Sequence, residues 1–135
     1  MQVKRKNKCV EFGIQKAFFQ WLSYYPAIRR VTFAIPNGGK RTPAEGAHQR
    51  ALGLTAGIPD IFMAIPSDGF NGMFIELKRP SGILTENQAQ TIEWLGSEGY
   101  KCVICYSVTE AIDQVKDYLK DKMHVRCRSA QAVNY

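Results

Sequence analysis

Two acids and a lysine stand at a spacing that suits phosphate chemistry. Pro59-Asp60 leads into the apolar run Ile61-Phe62-Met63-Ala64-Ile65, and Glu76 and Lys78 sit inside a second run, Met73-Phe74-Ile75-Glu76-Leu77-Lys78. Charges set in apolar strands are costly to desolvate unless something compensates. A divalent cation would compensate two carboxylates. A lysine beside it can hold or deprotonate a water, or neutralise charge that builds on phosphorus. The plain alternative is a turn aspartate next to a cross-strand Glu–Lys ion pair.

What must position these groups is a β-hairpin. The runs flank Pro66-Ser67-Asp68-Gly69-Phe70-Asn71-Gly72, a segment of turn residues. With Ile65 paired to Asn71 across a loop of about five residues, Ala64 faces Gly72, Phe62 faces Phe74 and Asp60 lies opposite Glu76. Strand alternation then places Asp60, Phe62, Phe74, Glu76 and Lys78 on one face. Ile61, Met63, Ile65, Met73, Ile75 and Leu77 fall on the other, which is wholly apolar and must be packed. Two opposed carboxylates repel, and a hard cation such as Mg²⁺ reverses that. The Leu77 carbonyl is placed to add a backbone oxygen.

The 135 residues make one ordinary domain, with a core over about 9–122 and a basic N-terminus and a tail expected to be mobile. No apolar run approaches the ~20 residues of a membrane helix, and the basic start lacks the apolar stretch of a signal peptide. A cytoplasmic protein with no membrane partner is expected. Eighteen Lys and Arg against twelve Asp and Glu give a net charge of +6. An acidic cluster within a basic chain suggests a polyanionic substrate. Of the four cysteines, Cys102 and Cys105 have zinc-like spacing but sit in a strand-like run that points them to opposite faces, so buried thiols are expected rather than a metal site.

Along the chain, Val10, Ile14, Phe18 and Trp21 stripe a helix over about 9–23, with Glu11 and Gln15 one turn apart and Tyr24-Tyr25-Pro26 ending it. A strand over 30–35 follows, then Asn37-Gly38-Gly39-Lys40-Arg41. That loop is either a simple turn or a phosphate cradle of backbone N–H groups at a helix start. Thr42-Pro43-Ala44-Glu45 opens a helix running to about Gly53. Thr85-Glu86-Asn87-Gln88 opens another, to about Ser97, stopped by Gly99. Gln88 stands where a capping box wants Glu or Gln, so it is either a cap or a site residue. A strand over 101–106 and a helix from Ala111 to about Lys120, capped by Ser107-Val108-Thr109-Glu110, complete the order α-β-α-β-β-α-β-α, with the tail from His124 forming a short edge strand or fraying. Arg50 and Arg79 are candidate phosphate contacts or solvated charges. His48 is expected on a helix surface.

This order resembles the virus-type replication-repair nuclease (VRR-NUC) family of the PD-(D/E)xK superfamily. The likeness rests on Glu11, Asn37-Gly38-Gly39, Gly57-Ile58-Pro59-Asp60, Phe74-Ile75-Glu76-Leu77-Lys78, Leu84-Thr85 with Gln88, and Leu95, Gly99 and Tyr100, spanning Glu11 to about Ile112. It implies an α/β restriction-endonuclease-like fold, a mixed central sheet flanked by helices. It also implies that Asp60, Glu76 and the Leu77 carbonyl bind Mg²⁺ or Mn²⁺, that Glu11 reaches the metal directly or through water, that Lys78 activates the attacking water, and that Gln88 contacts water or phosphate. Asn37, Gly38, Lys40, Arg41, Arg50 and Arg79 would contact DNA. Short stand-alone members of phage or prophage type look like homodimers that cut four-way DNA junctions, leaving 5′-phosphate and 3′-hydroxyl ends. The competing expectations are a less selective nuclease of flaps or single strands, a DNA-binding module without cleavage, and a metal-free protein-interaction domain on the same fold.

Overall fold

A computed structural model describes the backbone of residues 2–36 and 42–130, and the side chains of 9–36 and 42–126. Its elements are α1 (Gln2–Leu22), α2 (Pro26–Arg29), β1 (Thr32–Ala34), α3 (Pro43–Ala51), β2 (Ile61–Met63), β3 (Met73–Leu77), α4 (Glu86–Ser97), β4 (Lys101–Cys105), α5 (Val108–Leu119) and α6 (Lys122–Ala130). The four strands form one mixed sheet in the order β1-β2-β3-β4, antiparallel except for the β3–β4 pair. The expected α/β class and mixed sheet flanked by helices are therefore observed. None of the described helices is long and apolar enough to cross a membrane.

The β2–β3 register is the one the alternation requires, with Ile61 opposite Ile75, Phe62 opposite Phe74 and Met63 opposite Met73. The apolar face is sealed. Ile61, Met63, Ile65, Met73, Ile75 and Leu77 are buried and form one cluster with Phe18 and Leu22 of α1, Ile28 of α2, Ala111, Val115, Tyr118 and Leu119 of α5, and Met123 of α6. The buried Tyr118 hydroxyl donates to the Ile65 carbonyl at 2.6 Å, which satisfies both polar groups.

The hairpin tip differs from expectation. In place of a five-residue loop closed by Ile65 and Asn71, Ser67 and Phe70 exchange backbone hydrogen bonds of 3.1 and 2.8 Å. Asp68 (φ 52°) and Gly69 (φ 81°) occupy the two central positions of a turn that needs positive φ at both, hence Asp-Gly. The tip pair is offset by one residue from the ladder, so the first arm carries one extra residue, as in a bulge. Asn71 instead donates its backbone N–H to Gly99 at 2.8 Å. Lys120 reaches Asp68 at 2.9 Å and Lys122 donates to the Pro66 carbonyl at 2.6 Å, so the end of α5 and the start of α6 grip the tip.

Other boundaries moved for local reasons. Tyr25-Pro26 was expected only to end the first helix, but Pro26 opens the single turn α2, the position at which proline lacks no needed donor. The expected strand over 30–35 shortens to Thr32–Ala34, although hydrogen bonds from Ala64 to Val31 and from Ile35 to Asp60 extend it at each end. The Ser107 cap expected from the sequence is observed, its hydroxyl accepting from Glu110 N–H at 3.1 Å, and α5 therefore already begins at Val108 rather than Ala111. The tail expected as an edge strand or frayed is helix α6. Cys102 is half-buried and Cys105 buried, both as free thiols. Cys127, like the side chains of the basic N-terminus, lies outside the described side chains.

Helices α3 and α4 end alike. Leu54 N–H bonds to Gln49 and Gly53 to Arg50, while Tyr100 bonds to Leu95 and Gly99 to Gly96. This is the Schellman arrangement, with glycine at positive φ just past each helix. At Gly99 an added Cβ would lie 2.6 Å from the Asn71 side-chain nitrogen, whereas at Gly96 it would meet nothing. Gly99→Ala is therefore expected to lower stability by about 1–2 kcal/mol, and Gly96→Ala to raise it by up to about 1 kcal/mol. Urea unfolding of the two variants checks this pair of opposite signs.

Candidate active site

Asp60 immediately precedes β2 and Glu76 lies within β3, one position beyond the Ile61–Ile75 pair. Both acids therefore occupy the face opposite the apolar core. The segment that delivers Asp60 is laid against α4 at Gly57 (φ 85°). A Cβ there would meet the Asn87 carbonyl at 2.9 Å and the Thr91 hydroxyl at 3.0 Å, so only glycine allows this approach. The Asp60 carboxylate is held from across the hairpin, its Oδ2 accepting from Leu77 N–H at 2.8 Å.

Glu76 is 2% exposed. Its Oε1 accepts from Gln88 Nε2 at 2.6 Å and lies 2.9 Å from Lys78 Nζ. Its Oε2 is buried and has no hydrogen-bond partner among the described residues. Lys78 Nζ also donates to Gln88 Oε1 at 3.0 Å. Gln88 is at once cap and site residue. Its Oε1 accepts from Thr85 N–H at 3.0 Å while Gln88 N–H donates to the Thr85 hydroxyl at 3.2 Å, and its Nε2 faces Glu76. The first turn of α4 is thereby tied to the acid–lysine pair.

Burial raises both carboxyls. For Asp60, desolvation is only partly offset by the Leu77 N–H and the Lys78 charge, while Glu11 raises it further. Glu76 is pushed up to about 7, first by desolvation and then by the charge of Asp60, against the stabilising hydrogen bond and charge of Lys78. Two desolvated acids, one of them further discouraged from ionising by the charge of the other and with an oxygen lacking a partner among the described residues, suit a hard cation with oxygen ligands.

Glu11 belongs to the same neighbourhood without joining a tight cluster. It is half-buried on α1, its Oε1 accepts from Arg79 N–H at 3.3 Å, and its charge is felt at both Asp60 and Glu76. Among the described residues no three His, Cys, Asp or Glu side chains converge closely enough to enclose a metal ion. Asp60 and Glu76 thus share one face of the hairpin, with Glu11 linked to the same region through the Arg79 backbone. Arg79 is half-buried beside the site, its guanidinium donating to the Ser81 hydroxyl at 3.3 Å. Arg50 and His48 are exposed in the last turn of α3. Asn37, Gly38, Lys40 and Arg41 lie outside the described residues.

Three parts of this arrangement were not anticipated. They are the grip of Leu77 N–H on Asp60, the link from Glu11 to the Arg79 backbone, and the seating of Gly57 on α4. The last had a signal in Gly57-Ile58-Pro59-Asp60, where a glycine stands just before the functional acid. The other two are contacts across 17 and 68 residues and leave no local mark.

Comparison with known proteins agrees with the geometry. The VRR-NUC domain model matches residues 14–109, a stretch that contains Asp60, Glu76, Lys78 and Gln88 and begins three residues after Glu11. A solved structure described as a "VRR_NUC domain protein" shares the fold, with a TM-score of 0.70 and 23% identity over 82% of this chain and 88% of that one. No curated protein matches. A family model that spans well over half of the residues, on a fold that carries the acids and lysine on one face of the hairpin, shows that the chain belongs to the VRR-NUC family and is a nuclease-type domain.

Proposed function

We propose that this protein is a metal-dependent, structure-selective endodeoxyribonuclease that hydrolyses phosphodiester bonds, acting as a homodimer on four-way (Holliday) junctions in a bacterial or phage-infected cell. The observation that carries the reading is the buried Glu76 carboxylate. One of its oxygens is held by Lys78 and Gln88, while the other has no partner among the described residues and shares its face with Asp60.

The donor set fits Mg²⁺ or Mn²⁺, with Asp60, Glu76 and the Leu77 carbonyl as ligands and Glu11 reaching the ion through water. A bound ion would polarise the phosphoryl oxygens and lower the pKa of a coordinated water. The chain's own groups do the rest. Leu77 N–H and Gln88 Nε2 fix the two carboxylates, so little reorganisation is needed when substrate arrives. Lys78, steered by Gln88 Oε1, holds the attacking water by hydrogen bonding and offsets negative charge on the phosphoryl group. Arg79, with the Asn37-Gly38-Lys40-Arg41 loop and Arg50, contacts the DNA backbone, which positions the strand without reading sequence. A two-fold dimer would present two such sites, as symmetric cleavage of a junction requires.

The direct test incubates a labelled four-way junction with the protein in Mg²⁺, Mn²⁺ or EDTA, beside linear duplex and flap substrates. Symmetric nicks in opposing strands are expected with either ion and none with EDTA. Asp60→Ala, Glu76→Ala and Lys78→Ala should each slow cleavage at least ~10²-fold. Absence of product on every DNA with both ions would defeat the proposal. Preferential cutting of flaps would replace the junction by the less selective activity.

Stability should report the same carboxylate. Because the folded-state pKa of Glu76 is raised to about 7, the folded protein binds the extra proton between roughly pH 4.5 and 7. Its contribution to stability is therefore present at the acid end and lost as pH rises through that window. In EDTA, wild type should lose on the order of 2–3 kcal/mol more than Glu76→Gln across the window, and Mg²⁺ should shrink the difference. Parallel stability–pH curves for the two proteins would contradict this.

A further inference from the structure

The acid-bearing face of the sheet continues past the two carboxylates into a row of aromatic rings. Phe33 of β1 pairs with Phe62 of β2, and Phe62 with Phe74 of β3. Phe33 stands edge-on to Phe62 at 5.7 Å, Phe62 stacks on Phe74 at 4.4 Å, and Tyr100 closes the row against Phe74 at 5.4 Å. The row is buried at its centre, with Phe74 at 9% exposed, and opens to solvent at Phe33, at 48%. Phe62 and Phe74 lie two residues from Asp60 and Glu76 along their strands, a step of about 6.6–6.8 Å. The same step on β1 leads from Phe33 to Ile35, whose N–H donates to the Asp60 carbonyl at 2.7 Å. Ile35 in turn is one wall of a cleft of about 340 Å³ lined by Pro36, Leu52, Leu54, Thr55 and Ile58.

We infer that Phe33 and the cleft beginning at Ile35 form a seat for an unstacked nucleobase, so that the substrate is DNA with an unpaired or splayed base beside the scissile phosphate. This rests on the nuclease reading and narrows its substrate. In paired duplex both faces of every base are covered by neighbours, and a rigid, half-exposed ring has nothing to stack on. At a branch point, flap or single strand a base is free to do so, with its phosphate falling toward the acid row one strand step away. Base–aromatic stacking is indifferent to base identity, in keeping with recognition of DNA shape. The chain's net charge of +6 favours a polyanion over a neutral partner.

The test measures binding in EDTA, so it does not depend on catalysis. Fluorescence anisotropy compares a short thymidine oligonucleotide with an abasic strand of the same length and charge. Wild type should prefer the base-bearing strand about tenfold. Phe33→Ala should lose that preference while binding the abasic strand as wild type does, and Phe33→Tyr should keep it. No preference in wild type, or a preference untouched by Phe33→Ala, overturns the proposal. So does a halved sedimentation mass for Phe33→Ala, which would place the ring between copies. Wild type that cleaves DNA in Mg²⁺ yet shows no base preference removes the seat alone. A base preference without any cleavage removes the nuclease reading and leaves the seat standing.

Discussion

The pairing of β2 with β3 is the constraint from which the site follows. A strand sends alternate side chains to opposite faces, so a register that buries one set of residues determines where the other set goes. Here the buried set on β2 is Ile61, Met63 and Ile65, all fully excluded from solvent. A slip of one residue would turn them out of the core, at roughly 1.5–3 kcal/mol each. The carboxylates gain no comparable stabilisation from their own placement, since desolvation works against them both. The apolar face therefore decides the register, and Asp60 and Glu76 are held together by the burial of residues that take no part in chemistry.

Helix α4 converts that placement into a defined constellation. A capping box normally closes on itself, with the N3 side chain satisfying the N-cap N–H. In this protein the N3 residue, Gln88, also touches Lys78 and Glu76. The helix start, the lysine and the glutamate form one hydrogen-bonded unit, and Gly57 brings the Asp60 segment onto the same helix. The side chains that must meet in the site are thus supported by elements from three parts of the chain.

Much of this was readable before any coordinates, for reasons that differ by residue. Asp60, Glu76 and Lys78 could be put on one face because the period of two is local and the flanking runs are strongly apolar. Gln88 could be put at a helix start because the capping box spans four residues. The Asp68-Gly69 turn was within reach as well, yet the looser five-residue loop preserved the same ladder and concealed the extra residue in the first arm. Helix α2 escaped because a proline after two tyrosines signals a stop as readily as a start. The tail escaped because residues after His124 have no clear apolar period. Glu11's approach to Arg79 and the hold of Leu77 on Asp60 depend on how distant segments pack, which no local pattern encodes.

The grip of Lys120 and Lys122 on the hairpin tip bears on how the whole arm moves. The arm is pinned at the tip by α5 and α6, along one flank by the core, and at its base by α4. Its attachments are those of a beam held at both ends rather than of a cantilever. Support for the strands that carry the acids thus comes also from the opposite end of the hairpin, through residues outside the site.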